Sequence, residues 1–383
     1  MKFTANKKHL LAAFKKLKTI CDAKTSLQAL AAVKITVSDH SVQLTTTDID
    51  NRLMLSLPAK VIASGEALIN LRELTKSVGA FNGEITITFD DGSQKIEITD
   101  ALPRTAQIAT ELRPDHFPVN ESLICGIKSR IQETIAVEHW NQLLQECKAS
   151  ISDDFTRPHI NSMLVERTKQ ALIGVTVDGH RLTYSEVKSK GTKEWDVLLQ
   201  SATLFPLRAL LDGEGVTEIV KTELLINISG TTQLVKATKK IKGVSVPFTL
   251  RAKLHDGDFP PYLQIIPKDY SDICTVDRTE MCTALEWLVK QDAEGICISP
   301  IRSNGEVTGL SFHIDEKVSY DVAVTAIKGD CPVTKIGVQA NYLLDAVRSP
   351  STDEVELSFG GALDPIKVTA TPQYTAVVMP MRI

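Results

Sequence analysis

The sequence predicts an α+β protein assembled from three tandem copies of one unit, and three observations carry that prediction. Apolar and polar residues alternate with period two along much of the chain. Short stretches of helical periodicity interrupt the alternation. Beneath both, matching segments recur at an offset of about 135 residues, a typical domain size.

The elements follow in order. Leu10, Leu11, Phe14 and Leu17 fall on one face at helical spacing, which predicts a first helix. Val33, Ile35 and Val37 alternate, and Val42 and Leu44 continue the pattern beyond the turn Asp39-His40-Ser41. Ile85, Ile87 and Phe89 lead through Asp90-Asp91-Gly92-Ser93 into Ile96 and Ile98, which reads as a β-hairpin. Trp140, Leu143 and Leu144 predict a helix over 139–147, and Met281, Leu285 and Leu288 another over 279–289. Strand alternation returns around 224–228 and 355–359.

The slower repeat is visible in paired motifs. Asn70-Leu71-Arg72-Glu73-Leu74 matches Pro206-Leu207-Arg208-Ala209-Leu210, and Ala340-Asn341-Tyr342-Leu343-Leu344 takes the third place. Thr47-Asp48-Ile49-Asp50-Asn51-Arg52-Leu53 has its counterpart in Val177-Asp178-Gly179-His180-Arg181-Leu182. His116-Phe117-Pro118 and Asp258-Phe259-Pro260 close the first two copies. Domains are expected over 1–125, 126–262 and 263–383, with connectors near Pro118-Val119-Asn120 and Pro267-Lys268-Asp269.

Composition narrows the class. The chain has 383 residues, 43% hydrophobic, 23% charged and 5% aromatic, which excludes collagen, coiled coil and disorder. No apolar run is long enough for a bilayer helix, and Met1-Lys2-Phe3-Thr4 lacks signal-peptide anatomy, so a cytoplasmic location is expected. Cysteines 21, 125, 147, 274, 282, 297 and 331 never form Cys-x-x-Cys, which offers neither zinc site nor disulfide framework. With a net charge of -4, any nucleic-acid role must come from a local basic surface.

Catalytic motifs do not emerge. There is no phosphate loop, no Gly-x-Ser-x-Gly elbow and no His-Glu-x-x-His helix. Gly213-Glu214-Gly215 reads as a helix end. Asp48/Asp50 and Asp153/Asp154 could be carboxylate pairs for a metal, but adjacent acids in turns are more often caps. His180 beside Asp178 has no accompanying nucleophile and reads as a structural or binding histidine. No cofactor and no metal are expected, and an enzyme is the weaker class. One charge feature stands out: Lys7, Lys8, Lys15, Lys16 and Lys18 on the first helix, with Lys24 beyond. Lys7, Lys15 and Lys18 lie together on the wheel, opposite Leu10, Phe14 and Leu17. Lys236, Lys239, Lys240 and Lys242 read as a hairpin rim, where lysines discourage edge pairing.

Three segments point to a family. Val175-Thr176-Val177-Asp178-Gly179-His180-Arg181-Leu182, Lys253-Leu254-His255-Asp256-Gly257-Asp258-Phe259-Pro260-Pro261-Tyr262 and Val377-Val378-Met379-Pro380-Met381-Arg382-Ile383 resemble the bacterial β sliding clamps, processivity subunits of DNA polymerase III. The resemblance runs end to end and suggests a divergent member. It implies three tandem clamp-type domains, with β-sheets outside and helices lining a central hole, closed by a head-to-tail dimer into a ring. It implies duplex DNA held topologically, without base readout, through weak phosphate contacts. DNA-facing residues are then Lys7, Lys15, Lys18, Lys24, Arg72 and Arg157. The implied partners, besides a second copy of the chain, are the replicative polymerase, the clamp loader, and repair or translesion polymerases and ligase; a membrane is not among them.

The family's hydrophobic peptide cleft carries over to Ile160, Val177, Gly179, His180, Arg181, Leu182, Pro260, Ile265, Tyr342, Leu363, Val377, Val378, Met379, Pro380, Met381 and Arg382. Unbranched methionines suit exchangeable partners. Strand pairing is expected as far as Met379, with Pro380 ending the ladder and Met381 lying free of the sheet near Leu182 and Pro260. Departures from the family are Val177 for threonine, Gln264 for arginine, Pro158-His159 for a tyrosine pair, and a missing aromatic near Ala293. The dimer contact is expected between 106–110 and 282–302. Two other readings compete with the ring: a monomeric clamp-like scaffold that does not encircle DNA, and a nucleotidyltransferase in its own right, against which the lack of a convincing carboxylate pair argues.

Overall fold

The computed structural model describes residues 1–21, 24–118, 131–211, 216–226, 232–241, 244–255, 257–268, 270, 272–291, 295–314, 318–329 and 335–382. Six helices punctuate the described chain: α1 (Lys7–Leu17), α2 (Leu71–Gly79), α3 (Val137–Cys147), α4 (Ser201–Leu211), α5 (Arg278–Val289) and α6 (Ala340–Arg348). Two fall in each third of the sequence, with antiparallel strands between them, as the internal repeat predicts. Local chemistry starts several of them. Asn6 accepts from Lys8 N at 3.0 Å to cap α1, and Asn70 accepts from Arg72 N at 3.0 Å to cap α2. Asp277 does the same for α5 through Glu280 N at 2.7 Å. Each satisfies a backbone donor that the first helical turn leaves orphaned.

The chain groups into two compact units, Met1–Asn141 with Ala202–Leu254, and Gln142–Ser201 with His255–Ile383. This grouping cuts across the threefold repeat because strands of neighbouring copies share sheets. In the first unit Asn51–Leu57 pairs with Val244–Lys253 within an eight-stranded sheet. A five-stranded sheet accompanies it, with Lys60–Ala63 and Thr105–Ala109 at its edges. In the second unit Arg181–Lys188 pairs with Tyr374–Val378 within a twelve-stranded sheet.

The core follows the periodicities. Leu10, Phe14 and Leu17 of α1 are fully buried, as are Leu53 and Leu55 on the strand beneath. Each such side chain contributes roughly 1.5–3 kcal/mol. The hairpin around Asp90–Ser93 forms with Phe89 opposite Ile96 and Ile87 opposite Ile98. In the second unit Met281, Leu285 and Leu288 of α5 pack with Leu343 and Val347 of α6 in one buried cluster.

The lysine-rich segment around residue 240 differs from its prediction. Thr232–Ile241 is an interior strand, laddered to Val216–Ile226 on one side and Val244–Lys253 on the other. Lys236, Lys239 and Lys240 therefore guard no sheet edge. In register, Lys236 stands opposite Glu223 and Lys240 opposite Glu218. Val119, Asn120, Gly213 to Gly215, Ile228, Lys242, Asp269, Ala293, Cys125 and Cys331 lie outside the described residues.

Candidate functional site

The second unit contains a groove of about 310 Å³ lined by His180, Gln339, Tyr342, Met379, Pro380 and Met381. Its first wall is the turn before Arg181–Lys188. The Asp178 carboxylate accepts from the backbone N–H groups of His180 at 2.9 Å and Arg181 at 3.0 Å. Gly179 sits at φ 97°, a left-handed conformation that glycine adopts without steric cost. The turn lifts His180 to the surface and aims Arg181 at α6.

Arg181 is the keystone of this wall. Its Nε donates to Asp178 at 2.8 Å and its Nη1 to Asp345 at 2.7 Å. Its guanidinium lies 4.2 Å from the Tyr342 ring centroid, and His180 stacks on the same ring at 6.1 Å. Tyr342 and Asp345 stand three residues apart on α6, hence on one helical face. Two carboxylates and one aromatic ring thus fix one guanidinium, and the ring it braces forms the groove wall.

The tail builds the other wall. The ladder from Tyr374–Val378 ends at Arg181 opposite Val378, and Met379 N–H then donates to His180 O at 2.9 Å. Pro380 has no donor and breaks the pattern. Met381 lies beyond the Tyr374–Val378 strand, as expected, with its N–H donating to Gly337 O at 2.8 Å; it lines the groove with Tyr342 and Gln339, and Leu182 and Pro260 are not part of that lining. Leu182 cannot serve as a wall, because strand alternation turns it into the core at 1% exposure. Val377 and Val378 are buried while Met379 and Met381 remain 41% and 37% exposed. The tail is structural through its valines and available through its methionines.

Other sequence-derived cleft residues divide between floor and periphery. Ile160, Val177, Leu182 and Val377 belong to a buried cluster with Tyr262, against which Ile265 packs half-buried. They are core residues and do not present a surface. Pro260 is half-buried, whereas Leu363 and Arg382 are exposed. Leu363 belongs to neither the groove lining nor that cluster.

Sequence reasoning missed Gln339 and Asp345. The internal repeat held a signal for the first. Asn70, just before α2, caps its helix, but Gln339, just before α6, makes no side-chain cap. Its Oε1 is buried and has no donor among the described residues. A buried acceptor left unmet beside an apolar groove is suited to a ligand N–H.

The basic residues sort differently from their helical wheel. Lys15, Lys18, Lys24 and Arg72 are exposed. Lys7 instead donates to Gly79 O at 2.7 Å, where its charge meets the negative end of the α2 dipole. Lys16 is buried, with its ammonium 6.0 Å from the Phe248 ring centroid. Arg157 donates to Asp154 at 2.7 Å. Hydrogen bonds from Thr156 and then Arg157 hold the Asp154 carboxyl down at about 2. The Asp48 carboxylate accepts from Asn51 N–H at 2.6 Å. Both acids are therefore turn caps. Among the described residues no cluster of three or more His, Cys, Asp or Glu side chains could hold a metal, and no helix is long and apolar enough to cross a membrane.

Strand-fused α+β repeats with a groove against the last strand define the sliding-clamp class of fold, and comparison places the chain within it. Residues 1–120 match the family model for the N-terminal domain of the DNA polymerase III beta subunit. Over the whole length of both chains, the sequence is 23% identical to the beta sliding clamp of Rickettsia bellii. The structure aligns over the whole of both chains with a Pseudomonas aeruginosa sliding clamp bound to griselimycin, at TM-score 0.83 and 22% identity. It also aligns in full with a DNA polymerase III beta subunit from Eubacterium rectale, at TM-score 0.84 and 16% identity. Residues 1–120 thus match the beta-subunit N-terminal domain, and the whole chain shares the fold of bacterial β sliding clamps.

Proposed function

We propose that this chain is a DNA sliding clamp, a non-catalytic processivity factor that encircles duplex DNA and tethers the replicative polymerase through the groove. The observation that carries the reading is the groove itself. Two tail methionines stay exposed, held by main-chain bonds to His180 and Gly337, opposite a tyrosine braced by an arginine. Such a site takes a short peptide through a few anchors, with modest affinity and exchangeable partners. The clamp loader, repair or translesion polymerases and ligase are proposed as further users of the same groove.

DNA would meet Lys15, Lys18, Lys24 and Arg72, which are exposed and carry no sequence information. Lys7 and Arg157 are proposed beside them, although Lys7 also donates to Gly79 O and Arg157 to Asp154. Ring closure needs a second copy. Thr105–Ala109 supports that role as a strand with one side unpaired among the described residues, and such edges invite pairing. A cytoplasmic location goes with this reading.

The test is retention on DNA with a clamp loader present. Circular DNA should hold the protein and linearised DNA should release it, and light scattering should give a dimer. Equal release from both, or a stable monomer at micromolar concentration, would favour a monomeric scaffold.

A further inference from the structure

A cavity in the first unit takes no part in the groove or the exposed lysine face of α1. It measures about 1050 Å³ and opens between Lys34, Arg52, Arg113 and Phe117. Register explains its chemistry. Asn51–Leu57 and Val244–Lys253 pair with Arg52 directly opposite Arg251. Opposed residues project from the same face with Cβ atoms roughly 4.5–5.5 Å apart, where like charges repel. Leu53 and Leu55 alternate to the other face and are fully buried, so a register slip that separated the arginines would expose that core.

Arg52 lacks the partners that Arg181 has. Its guanidinium lies 5.4 Å from the Phe117 ring centroid, and an aromatic face attracts a cation without replacing a carboxylate. Its Nε and Nη1 are shut off from solvent and meet no acceptor among the described residues. Burial, and then the charge of Arg251, pull the Arg52 pKa down. The nearby carboxylates are already engaged or peripheral. Glu66 is held by Lys34 at 2.9 Å and Thr36 at 3.0 Å, and Asp91 accepts from Gln94 at 2.9 Å. Asp115 is exposed.

We infer that this cavity is an oxyanion site, in which the Arg52 guanidinium holds a phosphate or carboxylate group. Guanidinium donors match the geometry of both oxyanions. The ligand supplies a counter-charge that Arg52 does not meet among the described residues, so binding stabilises the folded unit.

The experiment is thermal unfolding of the full chain with inorganic phosphate and, in a second arm, succinate, each exchanged against chloride at constant ionic strength. A saturable rise in Tm is expected in at least one arm. Arg52→Gln should require about tenfold more anion for the same rise, a loss near 1.4 kcal/mol. A Lys15→Ala/Lys18→Ala variant should respond like the parent, which separates this cavity from phosphate binding on α1. Arg52→Met provides a second variant: in chloride it should melt no lower than the parent, because a buried charge without an acceptor has gone. Response to phosphate alone identifies a phosphorylated ligand, and response to succinate alone identifies a carboxylate. No rise in either arm, or an Arg52→Gln variant that responds like the parent, overturns the site.

Discussion

Arg181 and Arg52 open equivalent strands of two successive repeats and have opposite surroundings. Arg181 donates to Asp178 and Asp345 and lies 4.2 Å from Tyr342. Arg52 lies 5.4 Å from Phe117, faces Arg251 in register, and has two buried N–H groups that meet no acceptor among the described residues. Where a buried cation has its acids, it fixes a wall and removal leaves the acids stranded. Where it has none, it costs stability until something anionic arrives.

The sharpest break in this comparison is Arg181→Met. It should destabilise the protein by roughly 2–4 kcal/mol, at the lower end for a buried pair because Asp345 is partly exposed. The urea midpoint reads the loss. Arg181→Lys should recover only part of it, because an ammonium lacks the planar fork that spans two carboxylates. A midpoint unchanged in Arg181→Met would mean that the ion pairs do not hold the wall.

Next in size is the tail. Removing 380–383 deletes Met381 but leaves the Tyr374–Val378 ladder, so peptide affinity should fall by about 1–3 kcal/mol, roughly five- to hundred-fold. Fluorescence anisotropy of a labelled polymerase-tail peptide measures this, and thermal unfolding should barely move. Equal affinity of the truncated chain would leave the tail a purely structural role.

Exposed charges make a third class, with smaller effects at any one salt concentration. Lys24→Ala with Arg72→Ala should flatten the log-log salt dependence of DNA retention by roughly 1.8, at about 0.9 per phosphate contact. An unchanged slope would take both residues off the DNA surface.

The smallest effect concerns Glu146, an acid partly satisfied by hydrogen bonds from Ser185 and Gln142. Burial raises its pKa above the ordinary value of 4.5, so the folded protein holds this proton more tightly than the unfolded chain. Its contribution to stability therefore falls as pH rises between the unfolded and the raised folded value, and stays low above it. Glu146→Gln should raise the unfolding midpoint at neutral pH and lose that advantage near pH 4. A gain independent of pH would point to packing instead of charge.

These charges also mark where sequence reasoning ran out. The strands around Ile35 and Ile87 and the helix faces of Leu10 and Met281 were legible, because periodicity is a local property. The Asp178-Gly179-His180-Arg181 turn was legible as a motif. What Arg181 does was not, because Asp345 lies 164 residues away and no spacing rule links them. Lys7 read as part of a basic face because a wheel omits the end of the neighbouring helix. Lys239 read as edge protection because pairing on both sides of its strand depends on Val244–Lys253 and Val216–Ile226 folding back in order.

The pairing of Arg181–Lys188 with Tyr374–Val378 has a consequence for biosynthesis. Translation proceeds from the N-terminus, so the first of these strands leaves the ribosome long before its neighbour exists. At about 5–20 residues per second the delay is on the order of ten to forty seconds. Throughout it, Leu182, Thr183 and Ser185, all buried in the finished fold, belong to a strand that lacks the Tyr374–Val378 ladder. Nascent chains would be sticky in that interval, and an unpaired edge of this kind is what a ribosome-associated chaperone could shield.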